Sequence, residues 1–231
     1  MRSAIAILAS MLSILSGGAM AQDGSVPECS LALAFALDIS TSVDEIEYEQ
    51  QRVGLAAALQ DEEIRALILA NRGTVMLMAY EWSGETQQAT IAPWSAIASE
   101  GDLAGFATRL LGHSRMNDDY PTALGAAIGF GTTKLNKVSA CARLVLDISG
   151  DGANNHGYPP ESAYRHFPAA GITVNGLVID TGDTSVIDYY LEKVIHGPGA
   201  FVEIALGFED YEQAMKRKLM REIPAPQFAR R

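Results

Sequence analysis

Short, continuous apolar runs alternate along this chain with stretches of helical period. Leu31 to Leu37 (LALAFAL) is apolar throughout, as in a strand covered on both faces. Residues 44 to 60 have helical spacing and predict a helix, with Ile46, Val53, Leu55 and Leu59 on one broad apolar face. Thr74 to Trp82 predicts a second strand. Gln88 to Pro93 predicts a third, antiparallel to it through a turn at Ser83-Gly84. Residues 101 to 111 read as a helix, 112 to 121 (GHSRMNDDYP) as a polar loop, and 122 to 135 as a helix whose small residues suit close packing. Then come a strand at Arg143 to Ile148, a short helix over 159–169 ended by Gly171, and a strand at Ile172 to Ile179. A helix over 184–195, a strand at Phe201 to Leu206 and a helix over 208–222 complete the pattern. Strands alternating with helices predict an α/β fold, with a mostly parallel sheet covered on both faces. In such sheets, sites form at the carboxyl ends of the strands.

The two ends of the chain depart from this pattern. Arg2, an apolar run over 4–16 (AIAILASMLSILS), a Gly17-Gly18 break and Ala19-Met20-Ala21 read as a secretory signal peptide cut before Gln22. The apolar run is short for a membrane span. Residues 22–29 are expected to be a flexible start, 30–223 one domain, and the tail from Pro224 disordered. The mature protein is expected in the periplasm or outside the cell, not inserted in the membrane.

Composition narrows the function. Of 231 residues, 17 are basic and 28 acidic, a formal net charge of −11. That disfavours nonspecific binding to nucleic acid or anionic lipid, which takes a basic surface. Aromatics at 7% leave little for stacking on single strands. Two cysteines make neither a disulfide-rich scaffold nor a four-cysteine zinc site.

Three strand-end loops carry hydroxyls and carboxylates. Asp38, Ser40 and Ser42 alternate after the first strand, so an extended segment would aim them one way, a spacing that suits a hard cation such as Mg²⁺. An N-cap by Ser42 or Asp44 explains the same residues equally well. Thr122 opens Thr-Ala-Leu-Gly-Ala-Ala-Ile and also reads as an N-cap. Ser149-Gly150-Asp151-Gly152 follows a strand and also reads as an ordinary turn.

Taken together and in this order, the three loops resemble the metal ion-dependent adhesion site of von Willebrand factor A domains. The resemblance covers about residues 30 to 222. It is strongest in Asp38-x-Ser40-x-Ser42 and departs before Thr122, where Pro121 stands in place of the family's frequent glycine. The whole chain also resembles a bacterial group of exported A-like proteins of the DUF1194 type. The resemblance implies a Rossmann-like doubly wound sheet with Mg²⁺ (or Mn²⁺) on its upper edge. It implies Ser40, Ser42 and Thr122 as direct ligands, Asp38 and Asp151 acting through water, and an open position that takes a carboxylate from a protein partner. Asn117, Asp118, Asp119 and Asn154 would form a rim, with Asn155 and His156 beside it. In this topology the first strand and the Arg143 strand are adjacent and parallel. Cys29 and Cys141, nine and ten residues before Asp38 and Asp151, would therefore form a disulfide at the far end of the sheet. Asp147, inside an apolar strand, is expected to pair with an arginine or sit near the metal. Asp180 and Asp183 read as turn residues.

Enzyme readings find less support. Ser40 stands where a haloacid dehalogenase-type phosphatase needs its second carboxylate. The chain has no Gly-x-Ser-x-Gly elbow, Walker loop or HExxH. The expected function is a non-enzymatic, exported binding module. A metal-dependent periplasmic hydrolase and a structural A-like fold with a vestigial site are the alternatives.

Overall fold

A computed structural model describes residues 28–116 and 119–223. Readings of the signal peptide, of Asn117 and Asp118, and of the tail lie outside the described residues. Six strands are present: β1 (Cys29–Asp38), β2 (Thr74–Trp82), β3 (Gln88–Ile97), β4 (Leu144–Gly150), β5 (Ile172–Ile179) and β6 (Val202–Ala205). They form one sheet in the order β3-β2-β1-β4-β5-β6, parallel except for the edge strand β3. The helices are α1 (Glu45–Gln60), α2 (Glu62–Leu69), α3 (Glu100–Leu111), α4 (Leu124–Leu135), α5 (Pro160–His166), α6 (Ser185–Tyr189) and α7 (Tyr211–Glu222). A π-helical turn (Tyr190–Val194) continues α6. None of the helices among the described residues is long and apolar enough to cross a membrane.

Side-chain size along β1 sets the two layers. Leu31, Leu33, Phe35 and Leu37 face one way, into a core built with α1, α2, α3 and α7. Ala32, Ala34 and Ala36 face the other way, where α4 packs with Leu124, Ala127 and Ile128. Alanines on the strand and glycines on the helix let these backbones approach closely. A Cβ on Gly131 would stand 2.7 Å from a Leu146 methyl.

The apolar face expected for α1 is corrected. Leu55 and Leu59 are buried, but Ile46 is 68% exposed and Val53 40% exposed. The buried face consists of Tyr48, Gln51, Gly54, Ala56 and Ala58 with the two leucines. Gly54 faces Tyr211 at a distance that leaves no room for a larger residue, so α1 meets α7 through small side chains. The pattern also missed α2. Asp61 ends α1 and accepts hydrogen bonds from the N–H groups of Glu63 and Ile64, so two helices share one junction residue. β3 runs on past Pro93 to Ile97 through register shifts.

Cys29 and Cys141 form a disulfide between residues 112 apart in sequence, at the amino ends of β1 and β4. A loop of that size contributes roughly 4 to 5 kcal/mol in chain-entropy terms.

Asp147 lies on the α7 face of β4, not beside the candidate metal loops, and its partner is Lys218 rather than an arginine. Strand alternation decides this: Val145, Asp147 and Ser149 all face α7. Tyr211, Lys218 and Glu222 recur at helical spacing on the opposing face. Ser149 Oγ lies 2.7 Å from the Tyr211 hydroxyl, Lys218 Nζ contacts both Asp147 and Glu222, and Asn175 Nδ2 donates to Glu222 at 2.7 Å. Burial, then the Glu222 charge, raises the Asp147 carboxyl well above its usual range. Removing the cation would strand two buried carboxylates. Lys218→Met is therefore expected to lower unfolding free energy by about 3–5 kcal/mol. Urea denaturation of the two proteins checks this; a loss under about 1 kcal/mol would mean the cluster contributes little as an ion network.

Candidate metal centre

The sheet order reverses between β1 and β4. From β1 the chain leads through α1 and α2 to β2 on one side; from β4 it leads through α5 to β5 on the other. This divergence opens a crevice at the carboxyl ends of β1 and β4. The three expected loops meet there.

Asp38 is the last residue of β1 and is fully buried. Its Oδ1 accepts the Ser40 N–H at 2.7 Å, and its carbonyl accepts Gln51 Nε2 at 3.0 Å. Its Oδ2 has no partner among the described residues. Ser40, also buried, places Oγ 3.2 Å from Ser42 Oγ. Ser42 is exposed and donates to Asp151 Oδ1 at 2.8 Å. A continuous line of oxygens thus runs from a buried carboxylate to solvent.

Thr122 is brought to the same place by backbone bonds. Its N–H donates to Asn155 Oδ1 at 2.9 Å, and its carbonyl accepts the N–H groups of Asn155 and His156. A Cβ on Gly152 would lie 3.6 Å from the Thr122 hydroxyl oxygen, so this hydroxyl faces the Asp151-Gly152 loop. The Tyr120 carbonyl accepts both the N–H and the hydroxyl of Thr41, which ties the second loop to the first.

The competing cap readings separate here. Asp44 is the N-cap of α1, in a reciprocal bond pair with Glu47, which leaves Ser42 free for the cluster. The cap residue of α4 is Ala123, with no side-chain cap, so Thr122 does not serve as one. Among the expected rim residues, Asp119 is exposed. Asn154 accepts the Gly125 N–H at 3.2 Å, turning its amide toward the start of α4. Asp180 and Asp183 bond the N–H groups of Gly182 and Ser185, as turn residues do.

The sequence reading missed Arg115. Its guanidinium donates to the carbonyls of Ile39 and Val43 at 3.1 and 2.7 Å, clamping both sides of the Ser40–Ser42 turn. It also lies over the Tyr48 ring. An arginine bound to main-chain carbonyls carries no motif; the only signal was one cation in an otherwise acidic and neutral loop.

Burial, reinforced by the Asp151 charge, pushes the Asp38 carboxyl up to about 7. Burial raises Asp151 as well. Two desolvated carboxylates beside three hydroxyls form a cluster of oxygen donors, which fits a hard divalent cation. Among the described residues there is no group of three or more His, Cys, Asp or Glu that could hold a metal, so hydroxyls would have to supply part of any ligand set here. Ser40, Ser42 and Thr122 could hold the ion directly, with the carboxylates balancing its charge.

Residues 28–227 match the family described as "Protein of unknown function (DUF1194)", and the chain belongs to it. No curated protein matches the chain significantly. Its fold is that of von Willebrand factor A domains. Proximal thread matrix protein 1 from the mussel byssus, solved with a zinc-occupied MIDAS motif, is 13% identical with a TM-score of 0.62, covering 83% of this chain and 48% of that one. The pilus adhesin SpaC from Lactobacillus rhamnosus GG is 13% identical (TM-score 0.60; 84% and 31%). A von Willebrand factor type A protein from Catenulispora acidiphila is 12% identical (TM-score 0.58; 84% and 43%). This chain therefore spans less than half the length of each of these proteins.

The raised Asp38 carboxyl predicts a pH dependence. Its folded-state pKa exceeds the unfolded value, so the folded state holds the proton more tightly. For the metal-free protein this group favours folding at low pH and opposes it as pH rises toward 7. Asp38→Asn mimics the protonated carboxyl. In EDTA at pH 7.5 the variant should be more stable than wild type, by about 2–4 kcal/mol. The gap should shrink toward pH 5. Paired urea titrations at both pH values check this; a gap independent of pH would contradict it.

Proposed function

We propose that this protein is an exported, non-enzymatic A-type binding module that engages an acidic side chain of a protein partner through Mg²⁺ or Mn²⁺. The observation that carries the reading is the unpartnered, fully buried Asp38 Oδ2 behind a line of hydroxyls that reaches solvent at Ser42. Ser40, Ser42 and Thr122 would bind the ion directly; Asp38 and Asp151 would act through water and balance its charge. Neutral hydroxyls next to the ion would leave it electrophilic, which favours a carboxylate at the remaining position. A cation between them would also let an acidic domain bind an acidic partner despite repulsion.

Two relatives in fold support the reading: one has a zinc-occupied MIDAS motif and another is a pilus adhesin. The four histidine side chains contact groups other than the candidate metal ligands, although the His156 N–H bonds the Thr122 carbonyl. His113 lies beside Glu81, His156 beside Glu85, His166 on the Ser162 carbonyl and His196 on the Tyr164 ring. Export is expected from the signal-peptide pattern of residues 1–21.

Thermal unfolding of the mature protein in Mg²⁺ and in EDTA tests the metal. Saturation at about 100 times the dissociation constant stabilises by about 2.7 kcal/mol. The expected result is that shift in wild type and its loss in Ser40→Ala. An undiminished shift in Ser40→Ala would place the ion elsewhere, and no shift in either protein would remove the metal from the account.

A further inference from the structure

Behind Asp38 lies a second buried polar group that no motif accounts for. Tyr190, at the start of the π-helical turn, is fully buried, and its hydroxyl has no partner among the described residues. Two glycines on adjacent strands make room for it. A Cβ on Gly176 would stand 2.6 Å from the Tyr190 ring, and a Cβ on Gly150 would stand 2.7 Å from its hydroxyl oxygen. That same point above Gly150 is 2.8 Å from Asp38 Oδ2. The edge of the Trp82 ring lies 3.5 Å from it, and the indole N–H of that ring is also unpartnered. Two buried oxygens thus lie 2.7 and 2.8 Å from one common reference point, and so no more than 5.5 Å from each other, within the span of two hydrogen bonds made by one water.

Buried polar groups in folded proteins are hydrogen-bonded to protein or to ordered water. A water needs a polar site with at least two partners; Tyr190 Oη and Asp38 Oδ2 supply them, and the water would lie between them at contact distance from the Gly150 Cα, beyond the position a Cβ would take. π-Helical turns recur at functional sites, where they redirect one side chain. Here the turn delivers a phenol to the rear of the carboxylate whose front bonds the Ser40 N–H.

We propose that Tyr190 is a positioning residue: its hydroxyl donates, through one water held above Gly150, to Asp38 Oδ2 and so fixes the carboxylate behind the cation site. This rests on the metal reading given above. The phenol touches neither the ion nor a partner. It acts through Asp38, as groups behind a ligand commonly do, and their loss typically weakens metal binding about 10–100-fold.

Tyr190→Phe keeps the ring between Gly176 and Gly150 and removes only the hydroxyl. Two readouts test the proposal. A crystal structure of the mature wild-type protein in EDTA should show a water bonded to both Tyr190 Oη and Asp38 Oδ2, and the variant should lack it. Mn²⁺ titration followed by electron paramagnetic resonance should give at least tenfold weaker binding in Tyr190→Phe than in wild type. Circular dichroism would establish that both proteins are folded. Equal Mn²⁺ affinities, or no water bonded to both oxygens, would overturn the proposal and leave the metal reading intact. If wild type itself binds no Mn²⁺, the metal reading fails; the bridge is then judged on the crystallographic water alone.

Discussion

A fully buried carboxylate at the end of the central strand is the constraint around which the upper edge of this sheet is organised. Asp38 is where β1 stops and where the sheet reverses direction toward β4. Desolvation makes its charge costly, and the nearby Asp151 adds to the cost. The neighbouring backbone offers only partial compensation, through the Ser40 N–H. Arg115 is close enough to lower the Asp38 carboxyl slightly, but its donors go to the carbonyls of Ile39 and Val43. The loop is thus pinned at Ile39 and Val43, while Asp38 Oδ2 has no partner among the described residues.

The molecule contains its own comparison. Asp147, on β4, is equally buried, and there the chain supplies a cation of its own. Lys218 from α7 enters between Asp147 and Glu222, and Asn175 completes the arrangement. Asp38 has no such lysine; in its place are hydroxyls that lead outward to solvent. The same difficulty is met on one side of β4 by a covalently attached cation. At Asp38 no side-chain cation takes that place among the described residues. This difference between a carboxylate with a built-in cation and one without is the physical basis for proposing a metal at the edge loops and a packing role for the α7 face.

Much of this was legible in the sequence because it depends on local pattern. Continuous apolar runs marked the strands, and their alternation with helical segments gave the doubly wound sheet. The Asp-x-Ser-x-Ser spacing, Thr122 and the Asp-Gly turn identified the residues that the fold then gathers. What escaped has a common cause. The buried face of α1 uses glycine, alanine and Gln51, while Ile46 and Val53 face solvent, so apolar size pointed to the wrong side. Arg115 acts on main-chain groups, which no sequence pattern records, and the amides of Asn154 and Asn155, expected only at or beside the rim, do so as well. Lys218 and Tyr190 reach Asp147 and the rear of Asp38 from distant parts of the chain, and only the folded topology brings them there.

The most direct test of the account is anomalous diffraction from crystals of the mature protein grown in Mn²⁺. The account predicts one strong manganese peak within ligand distance of the Ser40, Ser42 and Thr122 hydroxyls, with Asp38 and Asp151 behind it. A protein that binds Mn²⁺ only at other carboxylates, or leaves the Ser40 and Ser42 hydroxyls bonded to one another in saturating metal, would contradict it.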